Sequence, residues 1–184
     1  MSTRSTSHSY GSVAIAIHWL SAILIVILLA SGFRAANMAD IATKAGTLMV
    51  HAPAGIALLV LTLARVGWWL LADRKPDPLG NNPQWQERAA RAVHLLFYVV
   101  ILGMATSGIG MFILSGAGSV IFAGGEGPLP DFWNYPPRYP HGIGARVLIA
   151  LLVVHIGAAL YHHFALKDGV LRRMWFGPSG DQPM

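Results

Sequence analysis

Four long apolar runs fix what this chain can fold into. They lie at about 12–33, 47–72, 90–115 and 142–166. Each meets the roughly 20 residues that a helix needs to cross the hydrocarbon core of a bilayer. Inside hydrocarbon, every backbone amide must find its partner within its own helix or in a closed barrel, so runs of this length read as helices. Composition points the same way. Hydrophobic residues make up 54% of the 184 and charged residues 11%, against about 25% charged in soluble domains. The expectation is an all-α integral membrane four-helix bundle over 12–175, with short tails at 1–11 and 176–184. The first run is too long for a secretory leader, carries His18 and Trp19, and lacks a small-x-small cleavage site. It reads as a retained helix.

Lysine and arginine orient the bundle, because cytoplasmic flanks are enriched in both. Arg4, Arg74, Lys75, Arg88, Arg91, Lys167, Arg172 and Arg173 flank one side, against Arg34, Lys44 and Arg138 on the other, eight against three. Both termini are therefore expected in the cytoplasm. The net charge of +5 reads as basic cytoplasmic loops and not as a nucleic-acid surface. Trp68, Trp69, Trp85, Trp133 and Trp175 fall near span ends, where interfacial anchors belong. The Gly- and Pro-rich stretch 116–142 lies outside and is expected to be irregular. Its aromatics suggest that it packs over the mouth of the bundle.

Histidines interrupt the apolar runs, and polar groups in hydrocarbon are costly. His141 and His155 are 14 residues apart (155 − 141) on the fourth span. That is just under four turns, so both project from nearly one face, about 21 Å apart along the axis. Matching depths pairs His18 with His155 on the inner side and His51 with His141 on the outer side. The chain has no cysteine, which excludes thiolate metal sites and c-type haem attachment. Zinc needs four ligands, which neither pair supplies. Two facing imidazoles suit a six-coordinate iron porphyrin, so the bundle is expected to enclose two b-type haems that carry electrons. His18, His51, His141 and His155 are the expected haem-iron ligands.

Arg65 follows His51 by the same 14 residues (65 − 51). It reads either as a haem-propionate partner or as an arginine reaching for the interface. Arg146 is open to the same reading at the outer haem. His94, His162 and His163 sit at the cytoplasmic span ends. They are either interfacial residues or groups that donate and accept hydrogen bonds at a quinone site, together with Trp19 and Lys75. His8 lies in a polar tail and carries no expectation. A lone intramembrane histidine is often only a packing residue. Four at two matched depths are the stronger signal.

The segments "AIHWLSA", "MVHAPAG", "RAVHLLFYVVILGMATSGIGM" and "LLVVHIGAALYHHFALKDGVLRRM" resemble the bacterial cytochrome b561 family of four-helix di-haem membrane cytochromes. The resemblance runs from about residue 10 to 175 and is weakest in the outer loops. It implies haem ligation by His18, His51, His141 and His155, and electron transfer between the periplasmic face and the quinone pool of a bacterial inner membrane. The family's superoxide-oxidase type implies superoxide as donor and ubiquinone as acceptor. Lys44, Arg138 and Arg146, with Arg34 as a further candidate, then read as positive charge that steers the small anion inward. The expected partners are lipid, quinone and superoxide, with the chain a monomer or a small homo-oligomer. Two other classes stay open. One is a haem b anchor and electron-transfer subunit for a separate dehydrogenase docking on the outer aromatic loop. The other is a metal-ion binding or transport protein that uses intramembrane histidines.

Overall fold

The structure is a computed structural model, and it describes residues 2–77, 83–123 and 128–175. The tail 176–184 lies outside the described residues. Helix α1 covers Ser12–Ala36, α2 Ile41–Leu71, α3 Gln84–Ser115, α4 Ala117–Phe122 and α5 Arg138–Tyr161. A π turn at His162–Leu166 continues α5, and short 3-10 turns occupy Phe132–Asn134 and Leu171–Met174. No strand occurs among the described residues. Helices α1, α2, α3 and α5 with its π turn are long and apolar enough to cross a membrane. The shortest, 25 residues in α1, extends about 38 Å at the rise of an α-helix.

Three of the long helices start ahead of their apolar runs, because their polar first turns are helical as well. Helix α2 starts at Ile41, six residues before the expected 47 (47 − 41), because the Asp40 carboxylate caps it. That carboxylate accepts from Thr43 N at 2.8 Å and also from the Thr43 hydroxyl. Helix α3 starts at Gln84, behind Pro83, and takes in the polar turn that precedes the apolar run. Helix α5 starts at Arg138, ahead of the expected 142. Pro140 sits in its first turn, where an amide proton would have no intrahelical acceptor anyway. The stretch 116–142 is thus less irregular than its Gly and Pro content suggests. Gly116, at φ +67°, ends α3 and turns the chain into α4.

Helix α4 closes the end of the bundle away from the termini. Ala117 and Ile121 are buried against Ala35 and Leu48, with Phe112, Leu129 and Phe132 packed around them. Halfway along the bundle, Ile25, Leu58, Ile101 and Leu148 form a buried layer with one residue from each long helix. Each follows a histidine of its own helix by seven residues: 25 − 18, 58 − 51, 101 − 94 and 148 − 141.

The other end is tied together by its polar segments. Arg173 donates from Nε to His8 O at 2.7 Å, from Nη2 to Ser7 O at 3.0 Å, and from both Nη atoms to Asp77 O at 3.0 Å. Asp73 accepts from Ser5 N, Ser5 Oγ and Trp68 Nε1. Burial raises the Asp73 pKa, but these hydrogen bonds outweigh it and hold the carboxyl below its ordinary value. The N-terminal segment, the α2–α3 connection and the C-terminal turn therefore meet at one end of the bundle.

Candidate functional site

Two layers of imidazoles face each other across the bundle. In the distal layer, away from the termini, His51 of α2 and His141 of α5 have ring centroids 6.2 Å apart. In the terminal layer, His18 of α1 and His155 of α5 also stand 6.2 Å apart. Two rings that bind one metal through nitrogens at about 2 Å, each nitrogen about 1 Å from its ring centre, need centroids about 6 Å apart. Both pairs fit that separation. His94 of α3 comes closer to His155, at 5.4 Å, and Phe97 packs on the same ring at 5.5 Å.

The backbone beside the distal rings has been pared to glycine. A Cβ on Gly32 of α1 would stand 3.1 Å from His51 Cε1, and one on Gly108 of α3 would stand 3.3 Å from His141 Cε1. Serines anchor the same two rings. Ser31 Oγ lies 2.9 Å from His51 Nδ1, and Ser107 Oγ lies 3.1 Å from His141 Nδ1. None of these four residues was expected from the sequence. Serines breaking otherwise apolar runs near the depth of a histidine were the available signal.

Arg65 points into the terminal layer. Its Nη1 is 3.4 Å from His18 Nδ1, and its buried Nε has no hydrogen-bond partner among the described residues. An orphaned guanidinium N–H beside facing imidazoles fits an anionic group such as a propionate.

The expected quinone residues are only partly brought together. Trp19 lies edge-on to His18 at 5.5 Å and to Trp175 at 5.6 Å, and its Nε1 donates to Met174 O at 2.8 Å. Lys75 is near enough to act electrostatically on His94. His162 stands in the π turn, where its Nδ1 is bonded to the Asp168 carboxylate. It makes no hydrogen bond or ring contact with Trp19, Lys75 or His94 among the described residues. His163 packs on Phe164. Burial raises the Asp168 pKa, but bonds from His162 and Val170 N lower it further, to a net value below the ordinary one. Asp168 was not singled out from sequence, since one acid past a span end carries no signal alone.

At the distal end, Arg138 and Arg146 converge. Their Nη1 atoms would lie 2.8 and 3.6 Å from a Cβ on Gly142, the residue after His141. Arg138 stacks on the Trp133 ring at 4.3 Å, and Arg146 donates to Gly142 O at 2.8 Å. Lys44 does not join them; its side chain makes no polar contact among the described residues. Arg34 lines a separate groove of about 600 Å³ between α1 and α2, beside Ser31, Thr43 and Thr47.

Four membrane-crossing helices with paired imidazoles at two depths define a helical membrane protein suited to electron transfer. The chain belongs to the prokaryotic cytochrome b561 family, whose model matches residues 9–177. It is therefore a multi-pass bacterial membrane cytochrome of a family that binds b-type haem. It is 29% identical to "Cytochrome b561 homolog 2" of Escherichia coli (strain K12), over 98% of both chains. It is 30% identical to "Cytochrome b561 homolog 1" of the same strain, over 67% of this chain and 72% of that one. It is 28% identical to "Probable superoxide oxidase CybB" of Yersinia pestis, over 90% of this chain and 94% of the relative.

Proposed function

We propose that this chain holds two b-type haems, one between His51 and His141 and one between His18 and His155, and conducts electrons from superoxide outside to ubiquinone. The observation that carries this is the repeated 6.2 Å facing of two histidine pairs at two depths. The name borne by the Yersinia pestis relative supports the donor. When bound, haem would supply one-electron redox chemistry between the histidines of each pair. His94 is closer to His155 than two ligands of one metal stand, which favours His18 as the second terminal ligand.

The excess of Lys and Arg in the terminal flanks supports cytoplasmic termini, and on that orientation the distal layer faces outward. Arg138 and Arg146 raise the local concentration of the superoxide anion beside His141. Each superoxide gives up one electron and leaves as dioxygen. Ubiquinone takes two electrons and two protons, so two superoxides are consumed per quinol. Trp19, Lys75 and His94 border the headgroup site, and His162, backed by Asp168 and standing apart from them, exchanges protons with the cytoplasm.

The test is stopped-flow mixing of the oxidised holoprotein with superoxide, followed by quinone-dependent reoxidation. Haem reduction on the millisecond scale is expected. No reduction would remove superoxide as donor, and activity appearing only with a co-purified dehydrogenase would favour the anchor-subunit reading. The exposed Trp133 and Tyr139 of the distal face would be the docking surface in that case.

A further inference from the structure

The two histidine pairs differ in what stands behind the rings. His141 Nδ1 lies 3.0 Å from the Met104 carbonyl oxygen. A carbonyl only accepts, so Nδ1 carries the proton and Nε2 presents a bare lone pair. His51 reaches the same state by another route. Ser31 Oγ lies 2.6 Å from Ile27 O, which claims its single hydrogen. Toward His51 Nδ1 the hydroxyl can then offer only a lone pair, and Nδ1 must again be the donor. In both cases the acceptor belongs to the neighbouring helix, α1 behind α2 and α3 behind α5.

The terminal pair has the opposite surroundings. His18 Nδ1 faces the Arg65 guanidinium, which only donates. No hydrogen bond reaches the His155 ring among the described residues. Neither terminal ring has a hydrogen-bond acceptor at its Nδ1 among the described residues, and a fixed positive charge stands beside one of them.

We propose that Ser31, and the Met104 carbonyl with Ser107, are positioning groups that lock the distal imidazoles as Nδ1–H tautomers and lower the reduction potential of the distal haem relative to the terminal one. The inference rests on the two-haem reading above. An imidazole whose far N–H is hydrogen-bonded is a more basic ligand, and a more electron-rich ligand favours the oxidised metal. At the terminal layer, Arg65 favours the reduced state, which carries one positive charge fewer. The two effects have the same sign, and by themselves they make the step from the distal haem to the terminal one downhill. Arg138 and Arg146 pull the other way at the distal end. They are unchanged in every variant below, so they drop out of the comparison.

The experiment is a spectroelectrochemical titration of purified holoprotein, wild type against Ser31→Ala, with haem per chain counted first. Ser31→Ala is expected to raise the distal potential by a tenfold change in the reduction equilibrium, which is 59 mV for one electron. The terminal potential should stay fixed. The paramagnetic resonance signal of the oxidised distal haem should shift with the potential, which a loss of packing alone would not produce. Ser31→Thr keeps the hydroxyl and should titrate like wild type, while Ser31→Val, of the same shape without it, should titrate like alanine. If alanine leaves a hole that drops the haem, the threonine–valine pair decides. Two haems per chain with equal distal potentials in threonine and valine variants overturns the tautomer proposal. One haem per chain in the wild type overturns the two-haem reading instead.

Discussion

Replacing Gly32 by alanine should cost the distal site its cofactor while sparing the terminal one. The added Cβ would stand 3.1 Å from His51 Cε1 and 3.7 Å from Nδ1. Carbon–carbon contacts settle at about 3.5–4.0 Å, so the ring must retreat by about half an ångström. It cannot do so freely, because Ser31 holds its Nδ1 at 2.9 Å. Small-to-large changes in packed interiors cost about 1–3 kcal/mol. At about 1.4 kcal/mol per tenfold, that weakens binding at His51 by about fivefold to a hundredfold. The control is Gly103→Ala on α3, where an added Cβ meets nothing within 4 Å. There the change should be neutral or should gain up to about 1 kcal/mol of helix propensity. Haem per chain and reduced-minus-oxidised spectra of the two purified variants give the readout. Gly32→Ala retaining the haem content, affinity and spectrum of Gly103→Ala would refute the reasoning.

Three further outcomes are expected. His155→Ala should lose the terminal haem and His18→Ala should do the same, whereas His94→Ala should keep both haems by pyridine haemochrome assay and slow only quinone reduction; the reverse pattern at 18 and 94 would reassign the ligand. Arg173→Ala removes four hydrogen bonds of 2.7–3.0 Å from a charged donor, and should speed proteolysis of residues 2–11 by about tenfold, an opening cost of about 1.4 kcal/mol. The Asp73 carboxyl is held below its ordinary value, so its contribution is fully present above the unfolded-state carboxylate range and is lost as pH falls through the lower folded value. The protection factor at Ser5 N, with the intrinsic exchange rate at each pH divided out, should accordingly be high at pH 6 and fall toward pH 3, and in Asp73→Asn it should be lower and flat.

Much of this architecture was legible because its causes are local. Apolar runs long enough to span a bilayer state their own secondary structure, and a 14-residue interval puts His141 and His155 on one face without any knowledge of neighbours. What the sequence did not disclose depends on contacts between helices. Gly32 and Gly108 look like ordinary membrane-helix glycines until the opposite ring is seen 3.1–3.3 Å from where their Cβ would be. Ser31 and Ser107 are single polar residues whose meaning lies in the histidine across the interface. The start of α2 was missed because Asp40 sets it by capping, and that of α3 because helix runs on through the polar turn behind Pro83; a hydropathy window averages both away. The pairing of His162 with Asp168 needed the π turn, a local departure from helical spacing that no periodicity predicts.

The layer of Ile25, Leu58, Ile101 and Leu148 has a consequence of its own. It sits seven residues, about 10.5 Å of helix rise, from the histidines at either end, and contains no titratable group. An electron can tunnel through such hydrocarbon, but a proton has no foothold in it. If electrons run inward from the distal layer as proposed, charge crosses this layer uncompensated and works against the voltage across the membrane. Over the full thickness that is about 2.3 kcal/mol per electron per 100 mV. With the interior negative, inward transfer is uphill in that field. The four side chains act as the dielectric of a capacitor, and the rate of this cytochrome in an energised membrane should fall as the potential rises and recover when an ionophore collapses it.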